Sequence, residues 1–181
     1  EYQAVYDDVG RMVEKKEKDR TNANNVLSTT YGFDSRGQLV WTVNAEGNPT
    51  RFTFEGVGRM TKKEVALSYG SPITTFTSAI VTEWGFDENN RLTSFKDDAG
   101  NTSTWAYDAK DRPTTMTYPG GSQQVAYVYD AADNVTQTTD PAGNVVTDTF
   151  DALNRRTGRS VSLVSGFLGT TSESYGYDAL N

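Results

Sequence analysis

Aromatic residues come in pairs two apart along this chain: Tyr31 and Phe33, Phe52 and Phe54, Trp84 and Phe86, Trp105 and Tyr107, Tyr127 and Tyr129, Tyr175 and Tyr177. Residues two apart lie on one face of a β-strand, so each pair predicts a strand with an aromatic face. Ala4 and Asp148 depart from the pattern, standing where Tyr6 and Phe150 would have an aromatic partner. The second member of each pair opens a six-residue phrase: an aromatic, an acid, two free positions, a turn-former, then usually Arg. The phrase starts at Tyr6, Phe33, Phe54, Phe86, Tyr107, Tyr129, Phe150 and Tyr177, at steps of 27, 21, 32, 21, 22, 21 and 27 residues. Self-similarity at a period of roughly 20–50 residues marks a repeat array.

The fifth position of the phrase holds Gly10, Gly37, Gly58, Asn90, Asp111, Asp133, Asn154 and Asn181. These residue types accept positive φ most readily, Gly because it lacks Cβ, Asn and Asp through local hydrogen bonds. A four-residue turn ending in a left-handed residue closes a β-hairpin with a bulge. The acid at the second position accepts backbone N–H groups as an Asx turn. Glu55 is too long for that geometry, so its turn is expected to rest on Gly56 and Gly58. At the eighth position stand Val13, Val40, Thr61, Thr93, Thr114, Thr136 and Thr157, residues that favour strands. A second turn phrase alternates with the first: Ala45-Glu46-Gly47-Asn48, Asp98-Ala99-Gly100-Asn101, Pro119-Gly120-Gly121-Ser122 and Asp140-Pro141-Ala142-Gly143-Asn144. Each repeat therefore reads as two strands with a turn at either end.

The residues expected to carry the repeat structurally are Tyr6, Asp7, Gly10 and Arg11; Phe33, Asp34 and Gly37; Phe54, Gly58 and Arg59; Phe86, Asp87, Asn90 and Arg91; Tyr107, Asp108 and Arg112; Tyr129 and Asp130; Phe150, Asp151, Asn154 and Arg155; and Tyr177 and Asp178. Three stretches lengthen the repeat. The charged run Glu14–Arg20 and the polar Thr21–Asn25 predict an exposed strand pair with a long turn, since the mixed charges form no apolar stripe at helical spacing. Gly70-Ser71-Pro72 reads as a turn between two longer strands, and Ser165–Gly169 as the tip of another lengthened hairpin. No linker composition interrupts the series, so residues 1–181 are expected to form one array of about seven to eight repeats. Both ends fall inside or close to a phrase, and the chain is expected to be a fragment of a longer one.

Composition narrows the function classes. With 35% hydrophobic residues, 12% aromatic and 16 Gly, the chain suits many short strands and turns, and the aromatics argue against disorder. A net charge of −7 disfavours nucleic acid and anionic membrane as partners, which need clustered Lys and Arg. No apolar run approaches a membrane span, so no membrane insertion by this segment is expected. There is no Cys, which excludes disulfides.

With no His in the chain, Ser-His and Cys-His nucleophile systems and His metal sites are absent. Carboxylate pairs suited to glycoside hydrolysis would be Asp97-Asp98 or Asp7-Asp8, but turn geometry already accounts for such acids. Asp87-Glu88-Asn89-Asn90-Arg91 opens like an acidic calcium loop, yet places Arg91 where a ligand is needed. The chain is thus expected to have no catalytic residue, metal or cofactor, and not to be an enzyme. The recurring Arg could mark an anion or glycan site; its simpler role is to pair with a repeat acid in the next strand pair. Asn101-Thr102-Ser103 and Asn134-Val135-Thr136 fit the N-glycosylation rule.

The phrase Tyr/Phe-Asp-x-x-Gly/Asn-Arg, alternating with Asp140-Pro141-Ala142-Gly143-Asn144, resembles the Rhs or YD-repeat family over essentially the whole chain. The resemblance implies an all-β fold: tandem β-hairpins forming a strip of a large spiralling antiparallel sheet, the wall of a hollow shell. In bacterial polymorphic toxins and insecticidal Tc toxins such a shell encloses a toxic C-terminal domain; in animal teneurins a similar barrel serves adhesion. On that resemblance the expected partners are the remaining repeats and a C-terminal cargo domain of the same polypeptide, in a secreted or cell-surface bacterial protein. The alternative is a cell-surface binding module in which Trp41, Trp84 or Trp105 stacks on glycans or meets cell-surface proteins. The family's shells resemble aspartyl proteases near a C-terminal motif containing Asp-Pro-x-Gly. Asp140-Pro141-Ala142-Gly143 matches those letters, but repeats continue past it and it reads as an ordinary turn.

Overall fold

A computed structural model describes residues 2–18, 26–70, 75–164 and 171–178. Among them are fifteen strands: β1 (Tyr2–Tyr6), β2 (Met12–Lys18), β3 (Val26–Phe33), β4 (Leu39–Val43), β5 (Pro49–Phe54), β6 (Met60–Tyr69), β7 (Phe76–Phe86), β8 (Leu92–Lys96), β9 (Thr102–Tyr107), β10 (Pro113–Thr117), β11 (Gln124–Tyr129), β12 (Val135–Thr139), β13 (Val145–Phe150), β14 (Arg156–Ser162) and β15 (Ser172–Ser174). They follow one another in chain order across an antiparallel sheet, so the all-β reading of tandem hairpins is what the structure shows. Within this order the chain forms two compact units, Glu1–Gly85 with Lys96–Gly100, and Phe86–Phe95 with Asn101–Asn181. Residues 14–18 are strand, not helix; Asp19, Arg20 and Thr21–Asn25 lie outside the described residues. So do Ser71-Pro72, Ser165–Gly169 and Asn181. The strands flanking the Gly70 turn are the two longest, with 10 and 11 residues.

Among the described residues, the first turn phrase closes its hairpins in one way. In the first hairpin Gly10 N–H donates to Asp7 O at 3.0 Å and Asp7 N–H donates to Arg11 O at 2.9 Å. The described fifth-position residues have positive φ, from 61° at Asn154 to 91° at Gly58. Two residues past the Arg position, the ladder slips: Tyr6 pairs with Met12 but Val5 pairs with Glu14, leaving Val13 as a bulge. The same slip makes bulges of Val40, Thr61, Thr114, Thr136 and Thr157. The recurring eighth position is therefore the bulged residue. A bulge leaves a strand carbonyl short of its ladder donor, and threonine offers a hydroxyl: Thr136 Oγ1 donates to Val128 O at 3.3 Å and Thr61 Oγ1 to Thr53 O at 3.4 Å.

Burial follows the alternation without building a thick core. In the second unit β9 alternates exposed and half-buried residues along its length, with Ser103, Trp105 and Tyr107 on the covered face. Ala66 is the only buried hydrophobic among the described residues apart from Pro49, and no large side chain is fully buried. In the first unit the deepest point lies on the face opposite the phrase aromatics. There the registers place Gly32, Trp41, Arg51, Glu64 and Val81 side by side across five strands. Glu64 is the most buried charged residue among the described residues, at 8% exposure. Its Oε2 accepts Arg51 Nε at 2.8 Å and its Oε1 faces Lys62 Nζ at 3.2 Å. The same Arg51 guanidinium lies 4.7 Å from the Phe76 ring centre.

Candidate functional site

Within each unit the phrase residues come together as a clasp joining one turn to the next. The acid is its hub. Asp108 Oδ1 accepts the N–H groups of Lys110 at 2.8 Å and Arg112 at 3.1 Å, while Oδ2 accepts Arg112 Nε at 2.7 Å. Asp7, Asp87 and Asp151 repeat this set with Arg11, Arg91 and Arg155, at 2.7–3.1 Å. Asp130 does so with Asn134 in place of Arg. The turn puts the second and sixth positions opposite each other, so aspartate caps the loop backbone and grips the guanidinium at once. Glu55 only grips: its carboxylate bonds the Arg59 guanidinium. Its turn is closed by Gly58 at φ 91°, whose N–H donates to Glu55 O at 2.9 Å; Gly56 is not among the positive-φ residues.

The far side of the guanidinium reaches the following phrase. Arg112 Nη1 donates to Asp130 O at 3.2 Å and to Asp133 Oδ1 at 2.5 Å, and the guanidinium sits 4.4 Å from the centre of the Tyr129 ring. Arg91 treats Asp108, Asp111 and Tyr107 alike, at 3.1, 2.8 and 4.8 Å. Arg11 covers Phe33 at 4.9 Å and Arg155 covers Tyr177 at 4.5 Å. Three of the phrase tyrosines reach back through their hydroxyls: Tyr107 donates to Leu92 O, Tyr129 to Pro113 O and Tyr177 to Arg156 O, at 2.7–2.8 Å. The expectation that Arg pairs with an acid of the next strand pair is thus corrected in part. Its first partner is the acid of its own phrase, and an acid of the next phrase joins only where the fifth position is Asp, as at Asp111 and Asp133.

These contacts hold the acids ionised. The Arg112 guanidinium keeps Asp108 below the usual carboxylate range, and the Arg11 N–H does the same for Asp7. Desolvation opposes both. Lys110 and then Arg112 lower Asp133. Two phrases lack the Arg. Gln38 Nε2 donates to Gly58 O at 3.3 Å, and Asn134 Nδ2 bridges Asp130 Oδ2 and Asn154 Oδ1, each at 2.9 Å, where the other phrases place a guanidinium. Asn134→Arg is expected to keep the Asp130 contact, give up the Asn154 bond and lay a guanidinium over Phe150. The gain is about 0.5–1 kcal/mol, the value of a cation–π contact at an exposed site. A thermal melt checks it, and an unchanged or lower midpoint would count against the clasp as a stabilising device.

Two of the carboxylates weighed for chemistry are engaged within their own turns. Asp87 accepts Asn89 N–H, Arg91 N–H and Arg91 Nε, and Asp7 is similarly bound within its turn. Asp97 sits in a turn closed by Gly100 N–H on its carbonyl. Among the described residues no group of three His, Cys, Asp or Glu could hold a metal ion. Of the tryptophans weighed for glycan stacking, Trp41 lies flat against Gly32 on the other face of the first unit. Among the ion pairs that stand outside the turn phrases and were not expected from them are Glu64–Arg51 and the bidentate Asp148–Arg159 pair, with both oxygens at 2.8 Å. Asp148 carried a signal, since it takes an aromatic position in the period-two pattern. Asn134, the second glycosylation candidate, spends its side chain inside the clasp.

Residues 86–123 and 129–163 each match the RHS Repeat family. No curated protein matches the chain. Among solved structures, "Crystal Structure of TcdB2-TccC3-Cdc42" and "Crystal Structure of TcdB2-TccC3" align with 98% of the chain at TM-scores of 0.64 and 0.62 and 13% identity. The chain spans 11% of the length of each matched chain. At that identity the likeness is one of fold.

Proposed function

We propose that this chain, a member of the RHS-repeat family and a structural repeat segment of an Rhs protein, forms part of the wall of a hollow shell around a C-terminal toxin or effector domain. One observation carries the reading. Within each unit, side-chain contacts run from one repeat to the next, through Arg, aromatic ring and turn carbonyl, and among the described residues hardly any side chain is buried. Such an array gains stability by adding neighbours and encloses space by extending, which suits a wall better than a catalytic pocket. The alignment of the chain with a small fraction of two much longer chains supports a segment's role. On this reading residues 1–181 are one array within a longer secreted bacterial polypeptide, its partners are the other repeats and the cargo, and the phrase residues are structural.

The test is the size of the native polypeptide. A denaturing gel of source cells, probed with an antibody to this segment, should show a product several times larger than 19.9 kDa. Limited proteolysis of that product should then spare a C-terminal domain until the repeats are unfolded. A stable 19.9 kDa product, or a C-terminal domain cut as fast as the turns, would overturn the reading.

A further inference from the structure

The third and fourth positions of the turn phrase read as free, yet the fourth makes a connection of its own. Arg36 holds that position in the second phrase, and its Nη1 donates to Gly56 O at 2.7 Å. Lys110 holds it in the fifth, and its Nζ donates to Ala131 O at 3.3 Å and to Asp133 Oδ1 at 2.9 Å. Gly56 and Ala131 each stand at the third position of the phrase that follows. Both cations thus run from the fourth position of one turn to the third-position carbonyl of the next. The clasp arginines lie beside this path and take the second-position carbonyl: Arg11 on Asp34 O, Arg91 on Asp108 O and Arg112 on Asp130 O. The receiving residue is small in both cases, which leaves its carbonyl open to a long side chain. Val9, Val57, Asn89, Ala132 and Leu153 fill the other described fourth positions, and none is a cation.

We infer that the fourth position is a second strap site of the repeat, and that Arg36 takes over the span that a sixth-position arginine makes elsewhere. The second phrase has Gln38 in place of that arginine, and its amide reaches Gly58 O at 3.3 Å. A neutral amide bond of that length is weaker than a guanidinium bond at 2.7 Å, which carries a full charge. Arg36 is therefore the stronger link between the second and third turns. In the fifth phrase the two devices coexist and converge, because Lys110 Nζ and Arg112 Nη1 share Asp133 Oδ1. Lys110 is backed up there, and Arg36 is not. The sixth phrase has neither cation, with Ala132 at the fourth position and Asn134 at the sixth. Ala152, at the third position of the seventh phrase, is small and exposed, so its carbonyl is open to a strap that Ala132 does not supply. This division between two strap sites holds whatever the array encloses.

The test is thermal unfolding of the 181-residue chain and its variants at neutral pH, followed by circular dichroism. Arg36→Gln, which keeps a polar side chain and removes the charge, should lower the midpoint by roughly 1–3 °C, the scale of one exposed charged link in a chain of this size. Lys110→Gln should lower it by less than half as much, since Arg112 still holds Asp133. Gln38→Arg should recover the loss when added to Arg36→Gln. Ala132→Arg should raise the midpoint of the parent chain by a similar roughly 1–3 °C. Ala109→Arg places the same charge at an exposed third position and reads the general effect of added positive charge on a chain of net charge −7. Its gain should be smaller than that of Ala132→Arg. An unchanged midpoint in Arg36→Gln, equal losses in Arg36→Gln and Lys110→Gln, or no recovery by Gln38→Arg would overturn the assignment. Equal gains from Ala132→Arg and Ala109→Arg would overturn it as well.

Discussion

Replacing Gly32 with alanine is expected to destabilise the chain by about 1–3 kcal/mol, the cost of forcing extra volume into a filled site. A Cβ at Gly32 would stand 1.9 Å from Trp41 Nε1 and 2.0 Å from Cε2. No rotation of the new methyl relieves that contact, so the indole must leave or β3 and β4 must separate. Trp41 is the register partner of Gly32 on one side and of Arg51 on the other, and Arg51 holds Glu64, the most buried charge among the described residues. Displacing the indole therefore opens the row that supplies the deepest packing of the first unit. Urea unfolding followed by Trp fluorescence and by far-ultraviolet circular dichroism measures the loss. Gly56→Ala is the control, because a Cβ there meets nothing within 4 Å. If the steric account is right, Gly32→Ala in a Trp41→Ala background costs far less than in the parent, the non-additivity a shared contact produces. Equal costs in both backgrounds would place the effect in backbone conformation instead.

The position of Trp41 also shows where the sequence stops being readable. Turn chemistry is legible because few residues tolerate its backbone: Gly10, Asn90, Asp111 and Asn154 can be placed at positive φ from residue type alone. The strands are legible from period-two alternation up to the turn. Past the turn, alternation misleads. Counting by twos from Leu39 puts Trp41 on the face of Phe33, but the bulge at Val40 consumes a residue, and Trp41 comes to lie opposite Gly32 on the other face. The same shift brings Met116 rather than Thr115 beside Trp105. A bulge changes the parity of everything after it, and a β-branched residue at the eighth position is too common in strands to announce one. The partner of the repeat Arg is misplaced for a related reason. Sequence separation suggests a reach to the next hairpin, whereas the closed turn brings the second and sixth positions within 2.7 Å of each other.

Acid is expected to melt the array cooperatively, with stability flat above about pH 5 and falling steeply below about pH 4, where free carboxylates begin to take up protons. The sign follows from the direction of the shifts. Arg112 lowers Asp108, the Asn134 side chain lowers Asp130, the Asn144 side chain lowers Asp140, the Arg159 guanidinium lowers Asp148 and that of Arg51 lowers Glu64. A group whose pKa is depressed on folding contributes stability that is present above its unfolded pKa and lost as pH falls through its folded one. Asp87 belongs to the same set: desolvation raises it, but the N–H and guanidinium of Arg91 together hold it low. Each exposed aspartate contributes little alone. Those at the turns act together because each holds the loop N–H groups and the side chain at the sixth position, a guanidinium at Asp87 and Asp108 and an amide at Asp130 and Asp140. Protonation removes the acceptor from both bonds at once. Because clasps run from repeat to repeat, loss of one weakens its neighbours, so the transition should sharpen as more carboxylates titrate. Thermal midpoints measured from about pH 7 to about pH 2 at fixed ionic strength test this. A midpoint that stays level between about pH 5 and about pH 2.5 would mean that the sheet is held by its backbone ladder and aromatic contacts, with the clasps contributing nothing. A chain with Asp108, Asp130 and Asp151 changed to Asn should start lower at about pH 7 and show a shallower acid slope, since it has fewer protons left to bind on unfolding.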